Sequence, residues 1–289
     1  MKKIFSLFVL ALALLSAPVM AERSNGVGTN EDFRGPVGMC MYSLRDICQK
    51  ESVDAAMQFA EDCGFTVVEA SNFFGLTAAE YKTLLDKHHL AAPSLPVNYD
   101  QLKQKESLDK MIADAKALDA KFIRVAWIPH SKDKPFSLDE AREAVRVFNE
   151  AGKYLAEAGL SYTYHNHGFE FVKYEGCPED ECLFDLMVRE TDPRYVNFQM
   201  DVRWVIAPGY DPVTYMKRYP TRFRTMHVKD VSGKNGMLFS EGPMDFAAVL
   251  KTAQEIGIEY FFIEHDDTRN IKDVTPKNIQ FLEALKFAK

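Results

Sequence analysis

The chain has 289 residues, with 35 basic and 42 acidic side chains and a formal net charge of −7. This length fits one large α/β barrel or two small domains. An acidic chain without a basic stripe is a poor candidate for nucleic-acid binding, and no apolar stretch after the N-terminal segment is long enough to cross a membrane.

Residues 1–21 have the pattern of a cleaved export signal. Lys2 and Lys3 precede the apolar run 4–15, which at about 12 residues is shorter than the roughly 18 that span a bilayer. Val19 and Ala21 stand where a signal peptidase reads small residues. We therefore expect cleavage and a periplasmic location, and an uncleaved membrane anchor is the alternative.

Residues 22–35 are polar, contain three glycines and are predicted to be a linker to a single domain, 36–289. All five cysteines follow the signal segment. An odd number in an exported protein leaves at least one free thiol. Cys177 and Cys182 bracket PEDE, which is predicted to be a loop, and form either a local disulfide or two free thiols.

From residue 36 onward, short β-rich runs alternate with amphipathic segments. The predicted strands are 36–42, 65–70, 90–97, 121–127, 160–166, 195–201, 223–229 and 259–265. The predicted helices are 52–64, 77–89, 107–120, 137–159, 181–190, 211–219, 244–257 and 275–288.

Alternating strands and helices imply parallel pairing, and eight units at this length predict a single (β/α)₈ TIM barrel. A doubly wound open sheet is the alternative. Its usual GxGxxG turn after the first strand is absent from VGMCMYS.

Polar residues stand at the ends of several predicted strands, where a barrel of this kind has its active site. They are Glu69, Trp127, His165, His167, Asp201, His227, Lys229 and Glu264, with Glu170 just beyond strand five. Mixed carboxylate and imidazole donors suit one divalent ion: Mn, Co, Zn or Mg. Such an ion acts as a Lewis acid on a carbonyl while a nearby side chain removes the α proton.

Three residues are the predicted core of the metal site. Asp201 and Glu264 follow apolar runs, where a buried carboxylate is costly unless it is paired or metal-bound. His227 lies one strand after Asp201, which favours a ligand over a core histidine. The fourth ligand is predicted to be Glu170, with His165 as the alternative.

The acid–base candidates are His165, His167 and Lys229, although Lys229 has a simple ion pair with Asp230 as its alternative. The substrate-binding candidates are Glu69, Trp127, Trp204 and Arg203. Glu69 is alternatively a strand-end salt bridge, and the two tryptophans either stack on a sugar face or pack the barrel. His88, His89 and His130 are predicted to be surface or loop residues, and His265 to face away from the site.

Five phrases together resemble the xylose isomerase-like barrel superfamily of sugar isomerases and epimerases, which also contains endonuclease IV. They are VGMCMYSLRD, YHNHGFEF, FQMDVRWVIAPGYDP, MHVKDV and YFFIEHD. The resemblance covers about residues 36–288 and implies a (β/α)₈ fold. It also implies one divalent metal held by Glu170 or His165, Asp201, His227 and Glu264.

The chain departs from this family pattern in two places. It has His165 where many relatives carry Glu, and Pro96 in a segment where close relatives often show a histidine. The His-rich trinuclear site of endonuclease IV is absent from the sequence.

Exported members with an HNH phrase resemble enzymes that act on 3-keto-glycosides. No basic phosphate pocket is visible, and Arg45 and Arg203 are the only nearby candidates for one, so we expect a neutral carbohydrate substrate rather than a sugar phosphate. The reaction is then an isomerisation, an epimerisation or a lyase cleavage through an enediolate. The alternatives are a metal-dependent hydrolase and a non-catalytic carbohydrate-binding barrel. The sequence gives no oligomeric state.

Overall fold

Eight short parallel strands close into one barrel in the computed structural model, which describes residues 26–131, 133–230 and 238–288. The strands are β1 Val37–Cys40, β2 Val67–Glu69, β3 Ala91–Pro96, β4 Phe122–Val125, β5 Ser161–His165, β6 Val196–Asp201, β7 Phe223–Val228 and β8 Tyr260–Ile263. Each strand pairs with the next, and β8 pairs with β1. The predicted TIM barrel is confirmed. The predicted signal segment lies outside the described residues.

The described helices surround this barrel. They are α1 Arg45–Lys50, α2 Val53–Asp62, α3 Ala78–Lys87, α4 Lys105–Ala117, α5 Leu138–Glu157, α6 Leu183–Glu190, α7 Val202–Ile206, α8 Pro212–Arg218, α9 Phe246–Glu255 and α10 Ile271–Ala284. Capping boxes open α3 at Thr77 and α5 at Ser137. Both satisfy backbone N–H groups that a helix start leaves unpaired. Within the described residues, no helix combines the length and apolar character needed to cross a bilayer.

Two α-helices are not among the predicted ones, and a third begins four residues earlier than predicted. Helices α1 and α7 are too short to give a periodic pattern in the sequence. Helix α10 starts at Ile271, although Thr275 and Pro276 predict a later start. Buried Ile271 anchors the extra first turn, which outweighs the missing N–H of Pro276.

Residues 26–35 pack on the barrel rather than acting as a spacer. Phe33 is fully buried, and its ring meets Phe261 edge to face at 5.0 Å. The side-chain amide of Asn30 donates to the carbonyls of Leu282 and Leu285, both at 2.9 Å, at the end of α10. For residues 26–35 this corrects the predicted linker. Phe33 belongs to the core, and the amide of Asn30 caps the end of α10.

All five cysteines carry free thiols. The Cys177 thiol donates to the carbonyl of Glu181 at 3.0 Å, and the Cys182 sulfur lies 3.3 Å from the Tyr215 hydroxyl. Of the two alternatives for this pair, the structure has the separate thiols.

Side chains of β5 alternate between the two faces of the barrel wall. Tyr162 and Tyr164 face outward and meet the ring of Phe148 in α5 at 5.2 and 4.9 Å. His165 therefore points into the barrel. The same alternation on β6 sends Gln199 and Asp201 inward, toward the carboxyl-terminal mouth.

Candidate active site

Strand register brings the predicted site residues together at the carboxyl ends of β5–β8. Asp201 is directly opposite His227, and His165 is directly opposite Gln199. Glu264 follows β8 at the same level, where its N–H donates to the carbonyl of Val228. The cluster is therefore built by neighbouring strands and not by a flexible loop.

Asp201 is fully buried, and its two carboxylate oxygens have different surroundings. Oδ1 accepts the Trp204 N–H at 3.1 Å and so caps α7. Oδ2 has no hydrogen-bond partner among the described residues. Burial raises the pKa of this carboxyl to about 6, with Lys229 acting in the opposite direction. An unpartnered buried carboxylate oxygen is costly, and a bound cation would remove that cost.

His165 presents a free nitrogen to Asp201. Its Nδ1 lies 2.8 Å from Oε1 of Gln199, and the amide of Gln199 is oriented because Nε2 donates to Glu69 at 2.6 Å. Nδ1 must then carry the proton, since Oε1 only accepts. Nε2, 3.5 Å from Oδ2 of Asp201, keeps its lone pair. Burial holds the pKa of His165 well below its usual range, so the ring is neutral.

His227 lies between carboxylates on both sides. Its Nε2 is 2.5 Å from Glu69 Oε2, and its Nδ1 is 3.0 Å from Glu264 Oε2 and 3.8 Å from Asp201 Oδ2. Burial alone would lower the pKa of His227, but Glu69 and Glu264 raise it well above its usual value. The ring is thus positively charged while Glu69 and Glu264 are its partners and no cation is bound beside it.

Glu69 forms the floor beneath this cluster. Arg124 Nε lies 3.1 Å from its Oε1, and Ser94 donates to the same oxygen at 3.1 Å. Burial would raise the pKa of Glu69, but Arg124 and His227 lower it to about 2. Glu69 is not among the residues lining the cavity above it. Its contacts favour the salt-bridge alternative over substrate binding.

Lys229 is buried and forms hydrogen bonds with two carboxylates that follow β8 in the chain. Its Nζ donates to Glu264 at 2.8 Å and to Asp266 at 2.7 Å, and lies 3.6 Å from Asp201. Burial opposes the charged ammonium, but these three carboxylates raise its pKa above the usual value. These contacts differ from the ion pair with Asp230 that the sequence offered as an alternative.

A cavity of about 540 Å³ opens above the cluster. Its lining contains several of the predicted residues and some that the sequence did not indicate: Cys40, Tyr42, Ser71, Pro96, Val97, Asn98, Arg124, Ala126, Trp127, His165, His167, Trp204, Lys229, Glu264 and Asp266. Trp127 is 46% exposed, and the His167 ring lies between it and Trp204, at 5.2 and 5.7 Å. A cavity with aromatic walls and a charged floor suits a polyhydroxylated ligand.

Glu170 is the predicted ligand that the structure does not place in the cluster. It is fully buried, and its carboxylate accepts from the Tyr164 hydroxyl and from the His167 N–H at 2.9 Å. Tyr164 faces the helix layer, so Glu170 lies on the outer side of β5. Burial also raises its pKa to about 8, which favours the neutral carboxyl. This placement favours His165 over Glu170, the predicted first ligand.

Arg203 and Arg45 both bond to Asp266. The guanidinium of Arg203 donates to its carboxylate, and Arg45 donates to its carbonyl at 2.5 Å. Neither arginine is among the described residues that line the cavity, and the substrate contact of Arg203 stays a prediction.

Sequence reasoning missed Arg124 and Asp266. Arg124 is the lone charged residue of β4, FIRV, and an isolated charge in an apolar strand could have indicated it. Asp266 had no such signal, because its role depends on side chains from β7 and α7.

Two described groups have metal-ligand geometry: His165, Asp201 and His227, and Cys40, Glu69 and His227. The first has the donor types predicted from sequence. The second lies next to Arg124, whose positive charge opposes a second cation there.

The model of the xylose isomerase-like TIM barrel family matches residues 57–285. An inosose dehydratase of Lacticaseibacillus casei is 24% identical over 263 residues, covering 79% of this chain and 86% of that protein. A sugar phosphate isomerase/epimerase from Parabacteroides distasonis superposes with a TM-score of 0.73 at 25% identity, covering 88% of this chain and 95% of that one.

A more distant solved structure, the IOLI protein with a binding zinc atom, has a TM-score of 0.63 at 14% identity and covers 85% of this chain and 94% of its own. At that identity the similarity shows a shared fold. The match of the family model over most of the barrel confirms the resemblance drawn from the sequence. The chain belongs to the xylose isomerase-like TIM barrel family.

Proposed function

We propose that this chain is a metal-dependent enzyme that removes a proton α to a carbonyl group of a carbohydrate. The observation that carries the proposal is the unpartnered, buried Oδ2 of Asp201, which faces nitrogen atoms of His165 and His227 below a cavity. The curated relatives are called inosose dehydratases. Loss of water next to a carbonyl begins with the same α-deprotonation.

The residues fit a divalent cation. His165 Nε2 and Asp201 Oδ2 are free to bind, and His227 and Glu264 complete a set of two nitrogens and two carboxylates. This donor set, without a thiolate, suits Mn, Co, Zn or Mg. When bound, the ion would supply Lewis acidity to a carbonyl oxygen and a neighbouring hydroxyl.

His167 is the best-placed base. It lines the cavity, and its Nδ1 has no hydrogen-bond partner among the described residues. Burial lowers its pKa to about 4, so the imidazole is neutral near pH 7 and can accept a proton. Its ring is held by Trp127 and Trp204, and its backbone N–H by Glu170.

Lys229 is better suited to an acid than to a base. The carboxylates around it keep it protonated, and it lines the same cavity as His167. It can stabilise negative charge on an enediolate oxygen or give a proton to a leaving group. His165 keeps the predicted ligand role because its free nitrogen faces Asp201.

For a 3-keto-glycoside these groups support a balanced elimination. The base takes the C2 proton, whose bonding electrons form the enediolate with the C3 carbonyl. The C3 carbonyl then re-forms and the enediolate electrons make a C1=C2 double bond. The C1–O bond breaks as this happens, its electron pair leaves with the glycosidic oxygen, and that oxygen takes a proton. Reprotonation without loss of the C1 substituent gives epimerisation or isomerisation from the same intermediate.

The first test is proton NMR in D₂O with the mature protein, Mn²⁺ and a 3-keto-glucoside. We expect metal-dependent loss of the C2 proton signal. Aglycone release alongside it identifies a lyase, and retained aglycone an isomerase or epimerase. Aglycone release with the C2 proton retained would support hydrolysis instead. H167Q should slow exchange by about 100-fold or more; H130Q, which alters a histidine that does not line the cavity, should not.

Metal content distinguishes the two possible first ligands. H165Q and D201N should each weaken Mn²⁺ binding by about tenfold or more, measured by elemental analysis after desalting. E170Q should retain the metal, because Glu170 already satisfies Tyr164 and His167. Metal loss in E170Q with full retention in H165Q would reverse the assignment. Full metal content in D201N would refute the site.

A further inference from the structure

The cavity lining has balanced charge. Its charged side chains among the described residues are Arg124, Lys229, Glu264 and Asp266. Arg124 is paired with Glu69 beneath the floor, and Lys229 is paired with both Glu264 and Asp266. The cations of the described lining are thus already neutralised by carboxylates.

Asp266 occupies the position at the mouth where three basic side chains meet. One carboxylate oxygen accepts from Lys229 at 2.7 Å, and the other accepts from Arg203. Its backbone carbonyl accepts from Arg45 at 2.5 Å. Its side chain is 42% exposed, whereas that of Lys229 is 3% exposed, so the carboxylate lies between the ammonium and solvent.

An anionic group entering from solvent would have to replace this carboxylate. A phosphate monoester brings a charge of about −1.5 to −2 near pH 7 and seeks the same N–H donors. It would also approach Glu264, which already shares Lys229. An uncharged hydroxyl group meets no such repulsion and can accept or donate at either carboxylate.

We propose that Asp266 is a specificity-determining residue that fills the anion position at the mouth and selects uncharged carbohydrates over phosphorylated ones. This inference rests on the proposed function for its substrate class. The charge effect itself does not depend on catalysis and can be measured with inorganic phosphate.

The test replaces Asp266 with Ser or Asn. Both variants remove the negative charge, and the smaller side chain of D266S also leaves space for a phosphate group. The matched control is D267N, since Asp267 is the next residue, does not line the cavity and bonds to Arg269 instead. Isothermal titration calorimetry with inorganic phosphate and with glucose 6-phosphate measures binding to each metal-loaded protein.

We expect D266S and D266N to bind both ligands at least about tenfold more tightly than the wild type, with a gain that declines as salt is added. D267N should match the wild type. Adding R203Q to D266S should remove much of the gain, which would locate the anion at the mouth.

Three results would overturn the inference. They are tight phosphate binding by the wild type, an equal gain in D267N, or no gain in both Asp266 variants when their thermal midpoints show that they are folded. If neutral sugars fail to bind while D266S still gains phosphate affinity, the failure belongs to the proposed carbohydrate function and not to the role of Asp266.

Discussion

Burial alone does not tell what a polar residue does in this chain; its partners do. Asp201 and Glu170 are both fully buried carboxyls at the same end of the barrel. Both oxygens of Glu170 accept hydrogen bonds, from a hydroxyl and an N–H, whereas Oδ2 of Asp201 accepts none from the described residues. Only Asp201 is therefore available to a ligand.

His88 shows the same rule outside the site. The sequence predicts a surface residue, but His88 is buried, with Nε2 2.8 Å from Asp54 and Nδ1 2.9 Å from Glu61. The prediction was wrong because the adjacent histidines lie at the end of α3, where only His89 turns outward. Burial opposes the charged ring, but the two carboxylates raise its pKa above the usual value.

This pairing predicts a pH-dependent contribution to stability. A raised folded-state pKa contributes stability that is fully present below the unfolded value, about 6.5, and is lost as pH rises through the folded value. H88Q should therefore lower the free energy of unfolding by about 1–2 kcal/mol near pH 6. The penalty should be smaller at pH 9 than at pH 6, because the wild-type ring loses its charge as pH rises through the folded-state pKa.

Urea denaturation of the wild type and H88Q at the two pH values measures this difference. H89Q alters the exposed neighbour and should show little change at either pH. An H88Q penalty that is the same at both pH values would mean that packing, and not charge, is what His88 contributes.

At the scale of elements, close packing of α5 against the barrel depends on one glycine. Gly152 is buried in α5, and a Cβ there would lie 2.9 Å from the carbonyl oxygen of Tyr195 and 3.2 Å from Val196. The backbone that enters β6 cannot move aside as a flexible side chain could. The close approach of α5 to β6 thus requires glycine at position 152, although helix propensity favours other residues there.

G152A tests this packing. Propensity alone predicts a gain of up to about 1 kcal/mol in a helix. We expect a loss of about 1–3 kcal/mol instead, because the added methyl group overpacks the helix–strand contact. Thermal or urea denaturation measures the sign, with K153A at the next, exposed position of α5 as the control. A more stable G152A would show that α5 can shift outward at little cost.

At the scale of the whole molecule, the barrel brings residues distant in sequence to one rim. Glu69 and His227 are 158 positions apart, yet their side chains are in contact. Residues 26–35 then pack on the same barrel through Phe33 and Asn30. A chain that begins just before residue 26 would keep these contacts of Phe33 and Asn30 with the barrel.

We predict that the chain is exported and that its signal segment is cleaved. Expression of the full chain in a bacterial host should yield a periplasmic protein whose N-terminus is Glu22, because residues 1–21 have a short apolar run and a small-residue cleavage site. Cell fractionation with intact-mass measurement checks both points. An uncleaved chain in the membrane fraction would support the anchor alternative.

The eight strand–helix units could be predicted from the sequence alone, and with them the strand ends near which Asp201, His227 and Glu264 lie. This was possible because side-chain periodicity and capping patterns are local properties. The sequence leaves the choice between His165 and Glu170 open, and the folded barrel favours His165. That choice depends on which face of β5 each side chain takes and on partners such as Tyr164 and Gln199.

The ion pairs of the site likewise depend on the tertiary structure. Lys229 bonds to Glu264 and Asp266 across the rim, and Arg124 of β4 pairs with Glu69 of β2, two strands away. Electrostatic partners are set by distance in space and by burial, which sequence spacing does not carry between strands. Local chemistry thus indicated where the site is, and packing across the barrel decided which groups remain free to act.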